Sequence, residues 1–113
     1  MATSVIKNLI QFTPLTASQW GCVKLPFAKL CIVWGSRRMG DMSYESASGS
    51  YAYTADLSSY GFTGAPIAFV SPRYGGGLPK VGISNVDTSA VKVLSDVNVG
   101  SGYVHWIVIG QYN

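Results

Sequence analysis

The sequence predicts an all-β domain, a small antiparallel β-sandwich, and three observations carry that prediction. Seven Tyr, three Trp and four Phe are set among 13 Gly and five Pro in a chain of 113 residues, a composition that suits pleated strands separated by tight turns. Short runs rich in Val, Ile and aromatics are punctuated by Gly, Pro, Asn, Asp and Ser, which gives about six or seven strands. No stretch carries a sustained helical apolar period, and no internal repeat is visible. The length fits one domain with one core, near the size at which association helps stability.

The elements follow in order. Residues 1–20 include Val5, Ile6, Leu9, Ile10 and Phe12 ahead of Thr13-Pro14-Leu15-Thr16, and read as a lead-in arm or a first strand. Gly21-Cys22-Val23-Lys24-Leu25, a turn at Pro26-Phe27-Ala28 and the run 29–37 make a hairpin. Residues 35–50 are polar and glycine-punctuated and read as an exposed loop. Alternation resumes over 51–57, with Tyr51, Tyr53, Ala55 and Leu57 on one face. A turn over 60–66 ends at Pro66, which opens a short buried strand at 67–71. Tyr74-Gly75-Gly76-Gly77-Leu78-Pro79 is a flexible crossing into a strand pair, 80–86 and 90–94, joined at Asp87-Thr88-Ser89. In the terminal strand Val104, Trp106 and Val108 alternate with His105, Ile107 and Ile109. Both sets are largely apolar, so this strand is expected to be covered on both faces, inside the sandwich or at a subunit contact.

Charge and composition exclude several function classes. Only 12% of residues are charged while 48% are hydrophobic, which points to a surface partly covered by neighbouring subunits. The net charge of +3 comes from scattered Lys and Arg, with Arg37-Arg38 the sole adjacent pair, and so lacks the clustered footprint of a nucleic-acid binder. No apolar run approaches a membrane span, and the first residues lack the pattern of a signal peptide, so the chain is expected to be made in the cytoplasm without membrane insertion. Cys22 and Cys31 are then expected to be reduced, buried hydrophobes. Two thiols and one distant His do not make a metal site, and nothing calls for a cofactor.

No catalytic constellation emerges. His105, the sole histidine, sits in the strongest strand and reads as structural or interfacial. No serine lies in a nucleophile elbow. Asp41 with Glu45 lies in the polar loop, where paired carboxylates would lack rigid support. The triple glycine 75–77 lacks the Lys and Ser/Thr of a phosphate loop. The tyrosines are more suggestive, since each offers an apolar face and a hydroxyl.

Gly21-Cys22-Val23-Lys24-Leu25-Pro26, followed by Leu30-Cys31-Ile32-Val33-Trp34-Gly35 and the closing Trp106-Ile107-Val108-Ile109-Gly110, resembles the C-terminal domains of bacteriophage tail-fibre proteins. Those domains read as a G-x-x-x-L-P hairpin into a strand ending W-G, then a Pro-preceded middle strand, then W-I-A-I-G. The resemblance covers about residues 21–110, including Ala65-Pro66-Ile67-Ala68-Phe69-Val70. Phe27-Ala28-Lys29 departs from the Asn-Gly typical of the first turn. The resemblance implies a homotrimeric sandwich, similar to H-type lectins, that displays loops for host-surface recognition.

The reading is therefore a phage or prophage virion protein, with residues 1–20 as an attachment arm to other virion proteins and 21–113 as the sandwich domain. It would attach to a host surface glycan or protein through Arg37, Arg38, Asp41, Tyr44, Tyr60, Arg73 and Tyr74. A purely structural virion component, such as a tail-tip adaptor or capsid decoration, is the alternative, and a free bacterial lectin is the third. An enzyme ranks last.

Overall fold

A computed structural model describes residues 11–12 and 21–113. The strands are β1 (Gln11–Phe12), β2 (Gly21–Leu25), β3 (Leu30–Arg38), β4 (Ser43–Glu45), β5 (Ser50–Asp56), β6 (Ile67–Arg73), β7 (Val81–Val86), β8 (Ala90–Ser95) and β9 (Tyr103–Gln111), with single 3-10 turns at Met39–Asp41 and Ser58–Tyr60. They form a five-stranded sheet, β1-β2-β3-β9-β6, and a four-stranded sheet, β4-β5-β8-β7. Every pairing is antiparallel. The expected all-β class and antiparallel sandwich are what the chain adopts.

The core lies between the sheets and comes from alternate positions of four strands. Cys31 and Val33 of β3 and Val104, Trp106 and Val108 of β9 face Ala55 of β5 and Val91 and Val93 of β8, all essentially inaccessible to solvent. The recurrent Trp-Gly pairing has a steric cause. Gly35 stands opposite Trp106 in the β3–β9 register, and a Cβ on Gly35 would lie 2.5 Å from a ring carbon of Trp106. Gly21 stands opposite Trp34 in the β2–β3 register, and a Cβ there would overlap the Trp34 ring. Each indole therefore lies flat across a partner strand that has no side chain at that point.

The hairpin between β2 and β3 has the register Leu25↔Leu30. Its turn is closed by Ala28 N–H to Leu25 O at 3.0 Å and Lys29 N–H to Pro26 O at 3.3 Å. Lys29 takes the left-handed conformation, φ 51°, the position that glycine fills more cheaply. Cys22 and Cys31 are both free, Cys31 buried and Cys22 half-buried. They sit diagonally on neighbouring strands, since Cys22 pairs with Val33 and Cys31 with Lys24.

The structure corrects two sequence expectations. Residues 35–50 are not one exposed loop: β3 continues to Arg38, β4 forms at Ser43–Glu45, and Met39 and Met42 between them are buried at 0% and 4%. Met39 N–H donates to Gly102 O at 2.8 Å, so this segment plugs one end of the sandwich. Within the chain the terminal strand is covered on one face: Val104, Trp106 and Val108 are buried, while Ile107 remains 45% exposed. Of the segment expected to be an arm, β1 joins the five-stranded sheet beside Val23 and Lys24; the rest lies outside the described residues. The second correction is β6, expected to be a short buried strand: with Pro72 near its end it forms the opposite edge of that sheet, and Ile67 and Phe69 are 65% and 57% exposed.

Gly35→Ala should lower stability by about 1–3 kcal/mol, because the new methyl must displace the Trp106 ring in a closed core. Gly82→Ala, whose Cβ would meet nothing within 4 Å, should change it by about 0.5 kcal/mol or less. Urea denaturation of the two variants beside the parent checks the contrast.

Candidate functional site

The outer faces of the two sheets differ in chemistry, and cross-strand register shows how. On the five-stranded sheet, Val23, Ile32, Ile109 and Ile67 stand in one row, and Gly21, Trp34, Ile107 and Phe69 in the next. Ile67 is 65% and Phe69 57% exposed. Large apolar side chains thus stand row against row on this face. The four-stranded sheet presents Ser43, Ala52, Thr54 and Asn85 on its outer face, together with a Lys92–Glu45 ion pair. Its outside is that of an ordinary solvated sheet.

The apolar field is bounded on each side. Towards the β2–β3 turn it opens into a groove of about 380 Å³ lined by Leu30, Pro66, Ile67, Ile109 and Gln111. Towards the other end it changes to a row of Ser36, His105 and Ser71, then a row of Arg38, Tyr103 and Arg73. The Arg73 guanidinium lies over the Tyr103 ring, 5.5 Å from its centroid. The Tyr103 ring in turn stacks on His105, with centroids 6.3 Å apart and planes 14° from parallel. Burial, and then the Arg73 charge, hold the His105 imidazole below its ordinary range, so it is neutral at neutral pH.

The residues expected to bind a ligand do not form one cluster. Arg37 turns inward: its guanidinium carbon lies 4.5 Å from the Tyr53 ring centroid, and Nη2 donates to Asp41 O at 3.3 Å. Arg38 grips Asp41 with two hydrogen bonds of 2.9 and 3.2 Å, and the Arg38 hydrogen bond holds the Asp41 carboxyl below its usual range. Tyr44 is exposed and meets Tyr51 edge-on at 5.5 Å. Tyr74 folds back over Gly76 within its own turn. Tyr60 stands at the opposite end, where the Ser58–Tyr60 turn follows β5; it packs on Phe62 at 6.4 Å and against the core, and burial pushes its phenol upward.

Sequence reasoning left out Tyr103, His105 and Ser71. Their signal was weak because each sits inside a strand, and only the register sets them beside Arg38 and Arg73. Among the described residues no group of His, Cys, Asp and Glu could hold a metal ion.

No protein-family model matches the chain, and no significant match exists among curated protein sequences. The fold is nonetheless shared with solved structures. An N-truncated R1-type pyocin tail fibre matches at a TM-score of 0.62 and 16% identity, over 98% of this chain and 97% of that one. A Pseudomonas aeruginosa R1 pyocin fibre comprising C-terminal residues 323–701 matches at 0.63 and 15%, over 90% of this chain and 28% of that one. The R2 pyocin fibre, C-terminal residues 323–691, matches at 0.57 and 14%, over 97% of this chain and 28% of that one. The chain therefore spans under a third of those two longer fibre pieces, and it has the fold of a pyocin tail-fibre domain.

Tyr60→Ala should cost about 2 kcal/mol, since the ring packs against the core. Tyr44→Ala should cost under about 1 kcal/mol, the worth of one exposed aromatic contact. Thermal or urea unfolding of each variant distinguishes the packing tyrosine from the surface one.

Proposed function

We propose that this chain is an attachment domain of a phage-tail-type fibre. It assembles as a homotrimer through the outer face of the five-stranded sheet and contacts a glycan or protein on the host surface with the end that carries Arg38, Tyr103 and Arg73. The observation that carries this reading is the one-sided apolar field. It leaves Ile67, Phe69 and Ile107 65%, 57% and 45% exposed side by side, a contiguous apolar patch of the kind that marks contact sites, and it gives way to charged and hydroxyl-bearing rows at one end. The shared pyocin-fibre fold supports the same reading.

Polarity along the domain fits this role. β1 runs antiparallel to β2 and meets it at Lys24 and Val23, so β1 starts near the β2–β3 turn, and the Arg38–Tyr103–Arg73 row lies at the opposite end of the sheet. The location in a virion and the role of the arm belong to this proposal, as does the likeness to H-type lectins. The structural-component reading differs only in having no ligand at the far end.

Light scattering of the purified chain should give three times its 12.1 kDa mass at micromolar concentration. Ile107→Lys, a charge in the centre of the field, should give a folded monomer with an unchanged far-ultraviolet spectrum. Labelled trimer should adsorb to some strains of a bacterial panel. A monodisperse parent monomer overturns the assembly, and a trimer that adsorbs to no strain replaces attachment with the structural role.

A further inference from the structure

We infer that Phe27 is the knob of a contact between copies of this chain, seated in the groove that Leu30, Pro66, Ile67 and Ile109 line on the next copy. The inference deepens the threefold reading of the assembly and rests on it. A ring of three closes through two different patches on each subunit, whereas a twofold pair joins one patch to itself. In the five-stranded sheet β2 and β6 lie on opposite sides of the central β3–β9 pair, so in a ring about an axis along the strands the β2 side of one copy meets the β6 side of the next. Rotation about such an axis keeps the β2–β3 turn level with the neighbour's groove, because both lie at the same end of the sheet.

The choice of knob follows from what is left in water. Outside the apolar field, three large apolar side chains are exposed among the described residues: Phe27, Tyr44 and Leu78. Tyr44 belongs to the other sheet, and Leu78 follows β6 at the end that carries Arg73. Phe27 alone stands at the end where the groove opens. Its turn is closed by two backbone hydrogen bonds, and Lys29 O accepts from Tyr112 N–H at 2.9 Å. The Lys24 and Lys29 ammonium groups lie over the Tyr112 ring, 4.5 and 5.8 Å from its centroid. The turn is thus pinned to the end of β9, and a ring carried on it loses little backbone freedom on docking.

The groove is shaped before association. Its wall at 63–66 is tied to β9 by Thr63 N–H to Gln111 O at 3.0 Å, and Phe62 and Pro66 close over Gly110, where a Cβ would lie 2.8 Å from each. Its volume of about 380 Å³ admits an aromatic ring with room to spare, since a cavity of about 150 Å³ holds benzene. No charged side chain lines it, so a phenyl group enters without stripping water from an ion. Ile67 and Ile109 belong both to the groove and to the apolar field. A ring seated there extends the field's own contact to the end of the sheet, and burial of the field on assembly completes the seat.

The test uses the full-length protein with the photo-crosslinker p-benzoylphenylalanine placed at Phe27. Irradiation should join copies, seen as the mass of two or three chains on a denaturing gel, and the joined peptide should fall within residues 63–67 or 109–111. Phe27→Ala should raise the concentration at which the trimer dissociates about tenfold or more, the loss expected for a buried aromatic anchor, while Leu78→Ala should leave it unchanged. Gly64→Leu, on the groove wall where a Cβ meets nothing within 4 Å, should weaken the trimer similarly, and the double variant with Phe27→Ala should be no weaker than the weaker single one. A trimer as tight in Phe27→Ala as in the parent, additive losses in the double variant, or a crosslink that stays within one chain or falls elsewhere overturns the contact. The two readings fail separately. A parent dimer joined from Phe27 to residues 63–67 would end the threefold reading and leave the contact standing, a trimer without that crosslink would do the reverse, and a monomer would overturn both.

Discussion

The contact on which the rest depends is the Trp106 indole lying across Gly35. It joins the central strand pair of the five-stranded sheet at the middle of the core, where a ring of that size fits because the facing residue has no side chain. The contact also fixes register. A slip of one residue would set Trp106 against Trp34 or Ser36 and turn every core side chain of β9 outward. With β3 and β9 locked, β2 takes its place through Gly21 and Trp34, and β6 follows β9 with Val70 opposite Trp106. The rows on the outer face are thus set by the same event that sets the core.

Those rows decide what the domain can do. A strand alternates between faces, so a sheet apolar inside and polar outside presents nothing to a partner, as the four-stranded sheet shows. In β3, β6 and β9 the outward positions include an apolar stretch, Leu30, Ile32 and Trp34, Ile67 and Phe69, and Ile107 and Ile109, that gives way to polar residues towards Arg38, Arg73 and Tyr103. Each such strand therefore has a sticky part and a polar part. Antiparallel pairing in register assembles these into one field and one polar margin, and the margin gathers Arg, Tyr, His and Ser from three strands that are far apart in sequence.

Much of the fold was legible in the sequence. The β2–β3 hairpin, the strand opened by Pro66 and the apolar terminal strand all follow from alternation and turn residues, and the Trp-Gly motif marked the strands that form the sheet centre. Met39 and Met42 were not legible, since their neighbours Arg37, Arg38, Asp41 and Ser43 give the polar texture of a loop and only the open end of the sandwich gives two methionines something to fill. The candidate site was less legible than the fold. Loop tyrosines and arginines were expected to cooperate, but Tyr60 and Arg37 each found a packing partner, because topology, which composition does not encode, decides which end of the sandwich a loop occupies. Tyr103 and His105 were hidden for the opposite reason: a residue inside a strong strand reads as scaffold until its cross-strand neighbours are known.

Pro72 in the edge strand β6 has a bearing on how the exposed edge of the five-stranded sheet behaves. A bare apolar sheet face beside an open strand edge is a template for runaway stacking, since another chain can continue the ladder by backbone hydrogen bonds alone. Proline has no N–H to offer that ladder, and Arg73 beside it puts a charge on the same edge. Growth along the edge is thereby obstructed while contact through the face stays open. Two residues at the end of one strand thus limit how readily that edge can template another chain.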